Sequence, residues 1–116
     1  MTRVSFQEFL AACDEKLTPE QSHELRPYAS YYLVHGAYVG LDYYEGLNCF
    51  YIWIAVGGDP GWWSELKRKL EDGGADYVYF AAPTAKGTKT FARRYKGTLE
   101  EIGRERLLCR VKLDRR

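Results

Sequence analysis

Cys49-Phe50-Tyr51-Ile52-Trp53-Ile54-Ala55-Val56, followed by Gly57-Gly58-Asp59-Pro60-Gly61, is the stretch on which the fold turns. Its first eight residues are apolar and rich in aromatic and β-branched types, which predicts a strand. The lack of strict alternation predicts burial on both faces of that strand. The glycine and proline cluster ends it in a turn. Beyond the turn, Trp63, Leu66 and Leu70 share one helical face while Glu65, Lys67, Arg68 and Lys69 lie elsewhere, so residues 62–72 read as an amphipathic helix. Gly73-Gly74 stops the helix, and Asp76-Tyr77-Val78-Tyr79-Phe80-Ala81-Ala82 reads as a second strand. Strand, turn, helix and strand make a βαβ unit, whose strands are expected as parallel neighbours joined by a right-handed crossover.

Upstream of this unit, Tyr31-Tyr32-Leu33-Val34, the turn His35-Gly36, the run Tyr38 to Tyr44 and the turn Glu45-Gly46-Leu47-Asn48 predict an antiparallel meander that leads into Cys49. Further back, Ser5 caps a helix to Lys16, with Glu8 as capping-box partner and Phe6, Phe9, Leu10 and Cys13 on its apolar face. Thr18 and Pro19 open a second short helix, which Pro27 stops. Downstream, Pro83 closes the strand, Thr84 to Lys96 is helical with Thr88, Phe91, Ala92 and Tyr95 inward, and Gly97 ends it. Leu99 to Ile102 is a connector or short strand, and Arg106 to Leu113 alternates as a final strand. The order is α-α-β-β-β-α-β-α-β: an α+β domain spanning 1–116, with a mixed, mainly antiparallel sheet and flanking helices.

The chain has 116 residues, a length that suits one domain, and a net charge of +1, which makes no global demand for nucleic acid or membrane. Aromatics make up 16 % of it, enough either to thicken a core or to form an adhesive surface. Three widely spaced cysteines without a CxxC pair, and no secretory segment, are expected of reduced thiols in a cytoplasmic setting. No apolar run reaches the length of a membrane span. His23 and His35 stand apart, and no Cys/His or carboxylate spacing suits zinc or calcium, so no metal site is expected.

The element order is similar to that of the GNAT superfamily of acyl-CoA-dependent N-acyltransferases. Gly36-Ala37-Tyr38-Val39-Gly40 resembles that family's second hairpin, Cys49 to Val56 its central fourth strand, Gly57 to Gly61 its pyrophosphate loop, and Thr90 to Gly97 its last helix. The resemblance implies a GNAT-like topology and an acetyl-CoA site formed by Val56, Gly57, Gly58 and Gly61, with Arg93 near the cofactor. It also implies proton transfer by Tyr95 or Glu45. The loop departs from the family pattern: Asp59 adds a negative charge, Pro60 removes a donor, and Trp62-Trp63 are bulky where small residues are usual. Lys89, Phe91, Ala92, Arg93 and Arg94, with the aromatic-rich middle, also look like the small GNAT-like proteins of phages, including internal virion proteins of short-tailed phages. That likeness implies a virion or host-contact role in the bacterial cytoplasm.

Three functions follow as expectations. The leading one is a non-catalytic role, with no cofactor, through contact with a phage or host protein. Its aromatic surface is then Tyr43 and Tyr44 of the meander together with whichever of Trp62 and Trp63 stays outside, since two adjacent residues at one helix start are not expected both to point inward. The second is an acetyl-CoA-dependent N-acyltransferase. The third is an inhibitor or nucleic-acid-associated protein using the basic cluster Lys86, Lys89, Arg93, Arg94 and Lys96, which reads equally as a solvated helix face. The glycine loop likewise reads either as an anion seat or as a tight turn. Cys13, Cys49 and Cys109 have no neighbour that would lower a thiol pKa and are expected to be inert.

Overall fold

The computed structural model describes residues 1–23, 25–82, 84–102 and 106–114. Three strands run antiparallel at one side of the sheet: β2 (Ser30–Val34), β3 (Ala37–Tyr44) and β4 (Cys49–Gly57). The helix α3 (Trp62–Asp72) then carries the chain to β5 (Tyr77–Phe80), which pairs parallel with the first four residues of β4, Cys49↔Tyr77 to Ile52↔Phe80. Helix α4 (Ala85–Tyr95) leads to β6 (Thr98–Ile102) and β7 (Arg106–Lys112), and β7 lies between β5 and β6. A short strand β1 (Thr2–Val4), which the sequence pattern does not announce, adds the outer edge against β2. With α1 (Phe6–Cys13) and α2 (Pro19–His23), the architecture is α+β, with a seven-stranded sheet in the order β1-β2-β3-β4-β5-β7-β6. One of its six pairings is parallel.

Ser5 and Thr18 cap as expected, and Thr84 caps as well. Ser5 Oγ accepts the N–H of Glu8 at 3.1 Å, and Thr84 Oγ1 accepts that of Gly87 at 3.1 Å. Thr18 and Gln21 exchange reciprocal bonds at 3.0 and 3.1 Å, a complete capping box. Helix α4 ends where Lys96 takes φ 58°, so the left-handed residue is Lys96 rather than Gly97. Gly97 has a different duty: a Cβ there would collide with Sγ of Cys109 on β7.

The sheet separates two cores. Helices α3 and α4 cover one face, where Ile52, Leu66, Leu70, Val78, Phe91, Cys109 and Val111 pack together. The other face is covered over β2 to β4 by α1 together with Leu17 and Leu25 on either side of α2, with Phe9, Cys13, Tyr31, Trp53, Ile54 and Val56 enclosed. Strand β4 is thus buried on both faces, as its composition predicts, but a bulge also breaks its alternation. Gly40 faces Ile54 and Leu41 faces Ile52, which leaves Trp53 as an extra residue. Phe50 and Ile52 therefore point to the α3 side, whereas Ile54 and Val56 point to the α1 side. The indole of Trp53 crosses directly over Gly40, where any Cβ would strike its Nε1. That Nε1–H is buried and has no hydrogen-bond partner.

Both tryptophans at the start of α3 are buried, Trp62 at 9 % exposure and Trp63 at 6 %, which corrects the expectation that one of them stays outside. Two adjacent positions differ by about 100° around a helix, but the start of α3 is enclosed on two sides. Trp62 lies against Gly58 and meets Tyr95 edge-on at 5.9 Å, while Trp63 meets Phe91 at 5.3 Å and Tyr95 at 5.1 Å. Covering roughly 200 Å² of an aromatic side chain is worth, as an upper bound, about 5 kcal/mol at ~25 cal/mol per Å². That gain outweighs the cost of ordering one more side chain, about 1–2 kcal/mol.

Candidate functional site

Two regions hold the residues singled out by the sequence. The first is the turn between β4 and α3. Gly57 and Gly58 take φ of +75° and +102°, which explains glycine at both. Asp59 then folds back over the helix. Its N–H donates to the carbonyl of His35 at 3.0 Å, its Oδ1 accepts the Gly61 N–H at 2.7 Å, and its carbonyl accepts the Trp62 N–H at 3.2 Å. His35 Nδ1 lies 3.5 Å from the same Oδ1, an ion pair when the imidazole is protonated. A carboxylate at this place complements the partial positive charge of the helix start. The loop therefore carries its own anion.

Along the gap beyond this loop, β5 stops at Phe80, and β4 continues from Trp53 to Gly57 without a β5 partner. The rings of Phe80, Phe91, Trp63, Tyr95 and Trp62 succeed one another on the α3 side, with centroids 4.1 to 5.9 Å apart. Tyr95 is half-buried within this stack. Val56 is buried on the opposite side against the α1 core. Arg93 is exposed, as are Lys86, Lys89, Arg94 and Lys96, all opposite the buried Thr88, Phe91 and Ala92. Glu45 opens an exposed 3-10 turn at Glu45–Leu47, just before β4 begins. The eight steps of β4 place it roughly 26 Å from the glycine loop, so Glu45 and Tyr95 stand at opposite ends of the strand.

The second region is the sheet face on the α1 side, beyond the reach of α1. Cross-strand register aligns Asp42, Tyr51, Tyr79, Arg110 and Thr98 in one row, with Tyr44, Cys49, Tyr77 and Lys112 in the next. Tyr44, Leu47, Cys49, Tyr51, Tyr79, Glu100 and Leu108 line an open groove of about 390 Å³. Tyr44 is 47 % exposed and Leu47 70 %. Tyr43, 50 % exposed, faces the other way: its ring packs on Phe50 at 4.9 Å, its hydroxyl donates to Asn48 Oδ1, and it lines a smaller groove of about 260 Å³ beside α3. Tyr43 and Tyr44 thus serve opposite faces, and Trp62 and Trp63 join neither.

Cations are already built into the open face. The Arg26 guanidinium lies over the rings of Trp53 (5.4 Å) and Tyr51 (5.9 Å) and bonds to Asp42. Burial works against its charge, but Asp42 more than compensates and its pKa is raised. Arg110 lies 5.1 Å from the Tyr77 ring centre and 3.1 Å from Glu100. The Tyr51–Tyr79–Arg110 row and the Arg26–Asp42 pair escaped sequence reading. The alternation Tyr77-Val78-Tyr79-Phe80 was the available signal, since it puts two tyrosines on one face and two apolar residues on the other. Cys49 is buried and its thiol pKa is pushed up by burial, as are those of Cys13 and Cys109, which leaves all three protonated at neutral pH. Among the described residues no group of three or more His, Cys, Asp and Glu is placed to hold a metal, and no helix is long and apolar enough to cross a membrane.

Strand order, the bulge in β4, the parallel β4–β5 pair that parts beyond Ile52, and a glycine turn onto α3 together define a GNAT-like fold. A structure with the same fold is N-acetylglutamate synthase from Neisseria gonorrhoeae, solved with coenzyme A and N-acetyl-glutamate; it superposes with a TM-score of 0.62 at 15 % identity. The match covers 99 % of this chain and 35 % of that one, so this chain spans about a third of the synthase's length. No family model matches the sequence, and no curated protein sequence does. The turn between β4 and α3 is a poor seat for a pyrophosphate such as that of coenzyme A. Pro60 offers no N–H, Asp59 occupies those of Gly61 and Trp62, and its carboxylate would repel a pyrophosphate.

Proposed function

We infer that this GNAT-like domain acts by contact with a protein partner rather than by acyl transfer, and that it uses the open tyrosine face around Tyr44. The observation that carries this reading is the Asp59 carboxylate on the Gly61 N–H at 2.7 Å. A phosphate anion would have to displace it from the helix start and then share the space with it. The separation of Glu45 from Tyr95 points the same way, because general acid–base work needs both groups within hydrogen-bond reach of one substrate. A virion or host-contact setting, implied by the phage resemblance, suits such a role.

The competing reading is an acetyl-CoA-dependent N-acyltransferase, favoured by the unpaired β4 edge and by the coenzyme A in the Neisseria synthase structure. Thermal melting with acetyl-CoA and with free CoA separates the two. A ligand at about 100 times its Kd adds ~2.7 kcal/mol to the stability of the folded state, which would raise the melting temperature by several degrees. The expected result is no shift at millimolar acetyl-CoA. A dose-dependent rise in the native chain would overturn the contact reading. In Asp59→Gly, which removes the internal anion, a small rise is expected.

A further inference from the structure

Resting on the contact reading, the geometry points to an arginine side chain of the protein partner as the group that fills the 390 Å³ groove between Tyr44, Tyr51 and Tyr79. The open face already shows which chemistry it holds. Twice it seats a guanidinium over a tyrosine ring and closes the arrangement with a carboxylate: Arg26 over Tyr51 with Asp42, and Arg110 over Tyr77 with Glu100. The groove lies between these two, with ring surface of Tyr44 and Tyr79, apolar walls from Leu47 and Leu108, and Glu100 at its side. It has the rings and walls of a third such seat, with a carboxylate shared with Arg110, and among the described residues no cation lies over the Tyr44 or Tyr79 ring.

Arginine fits these parts better than other occupants. Its guanidinium is flat, weakly hydrated and stacks on aromatic faces, whereas an ammonium is a compact, strongly hydrated charge. Glu100 is already engaged by Arg110, so a lysine would exchange its water shell for too few acceptors. A purely aliphatic side chain would cover the leucines but leave the negative faces of the rings without a counter-charge. Exposed Glu45, next to Tyr44, adds a second carboxylate near the mouth and favours a basic segment there.

Short acetylated peptide amides with a central arginine, lysine, citrulline or norleucine, titrated into the full chain with chemical shifts of Leu47, Leu108 and the tyrosine rings as readout, test this. Citrulline keeps the shape of arginine and removes the charge. The arginine peptide is expected to bind in the millimolar range or tighter and about fivefold or more above the citrulline peptide. Tyr79→Leu and Glu100→Gln are each expected to weaken it, and Tyr44→Ser provides a variant at an exposed rim position where folding is not at stake. Equal binding by citrulline, lysine or norleucine, or no shift at these residues, would overturn the assignment. So would sedimentation showing a self-association that Tyr44→Ser abolishes, since the groove would then belong to a second copy. The acetyl-CoA melt reports on the contact reading separately, so a failure of either result is attributable.

Discussion

On one face of the sheet Phe80, Phe91, Trp62, Trp63 and Tyr95 are packed ring against ring beneath α3 and α4, whereas on the other Tyr44, Tyr51, Tyr77 and Tyr79 stand in adjacent rows beside the open groove. The two groups draw on the same aromatic richness and end differently. Residue type foreshadows the difference: the closed group is mostly phenylalanine and tryptophan, while the open one is all tyrosine, with a polar end that tolerates water. Arginines confirm it. Arg26 and Arg110 lie over rings of the open face, and an arginine near the closed stack, Arg94, meets only Tyr95 from outside. One aromatic set holds the fold together, and the other, with Arg26 over Tyr51 and Arg110 over Tyr77, borders the open groove.

The largest test of that contrast is a pair of truncations. Trp63→Ala is expected to cost about 3–5 kcal/mol in urea unfolding, because neither α4 nor the sheet can collapse into the space left. Tyr79→Ala is expected to stay within about 1 kcal/mol. Equal costs would mean that the open face is core after all.

A smaller effect probes how tightly β4 is locked on one face and β7 on the other. Gly40→Ala puts a methyl group into the Trp53 indole and Gly97→Ala puts one into Cys109, and each is expected to destabilise by about 1–3 kcal/mol. If Gly40→Ala is neutral, the bulge is loose enough for Trp53 to move.

The smallest effect is on pH dependence. Burial pushes the Cys109 thiol from its ordinary value near 9 up to about 11, so the folded chain keeps a proton that the unfolded chain releases. Its contribution to stability is complete below pH 9 and is lost as pH rises through 11. Tyr31 behaves likewise from 10 to about 12, with burial as the dominant cause. Urea midpoints measured across this range should fall with pH, less steeply in Cys109→Ala over the first interval and in Tyr31→Phe over the second. Unchanged slopes would show that these groups are less enclosed than their packing indicates.

Much of this architecture was legible in the residues. Apolar runs punctuated by His35-Gly36, Gly57 to Gly61 and Gly73-Gly74 located β2 to β5 and α3, and Ser5, Thr18 and Thr84 marked the helix starts they do cap. What escaped was set by neighbours distant in sequence. Thr2–Val4 is too short to show a pattern and becomes a strand only by pairing with β2. The bulge at Trp53 depends on Gly40 opposite it, and the burial of Trp62 depends on α4 closing over it. The candidate site was the less legible part. Asp59 was visible as a misplaced charge, but its seat on Gly61 is a matter of loop geometry, and the tyrosine rows need the register of four strands.

The parallel contact between β4 and β5 has a consequence for how the chain assembles. Strands β2 to β4 follow one another closely in sequence and are antiparallel, as are β6 and β7, so both groups can form from short loops. The four-residue seam at Cys49–Ile52 and Tyr77–Phe80 forms only after α3 has carried the chain back across the sheet. Pulsed hydrogen exchange during refolding should therefore show the β2–β3–β4 amides protected before those of β5; the reverse order would make the seam a nucleus. The molecule is a zipper of two local halves, with β5 closing last between them on both of its edges.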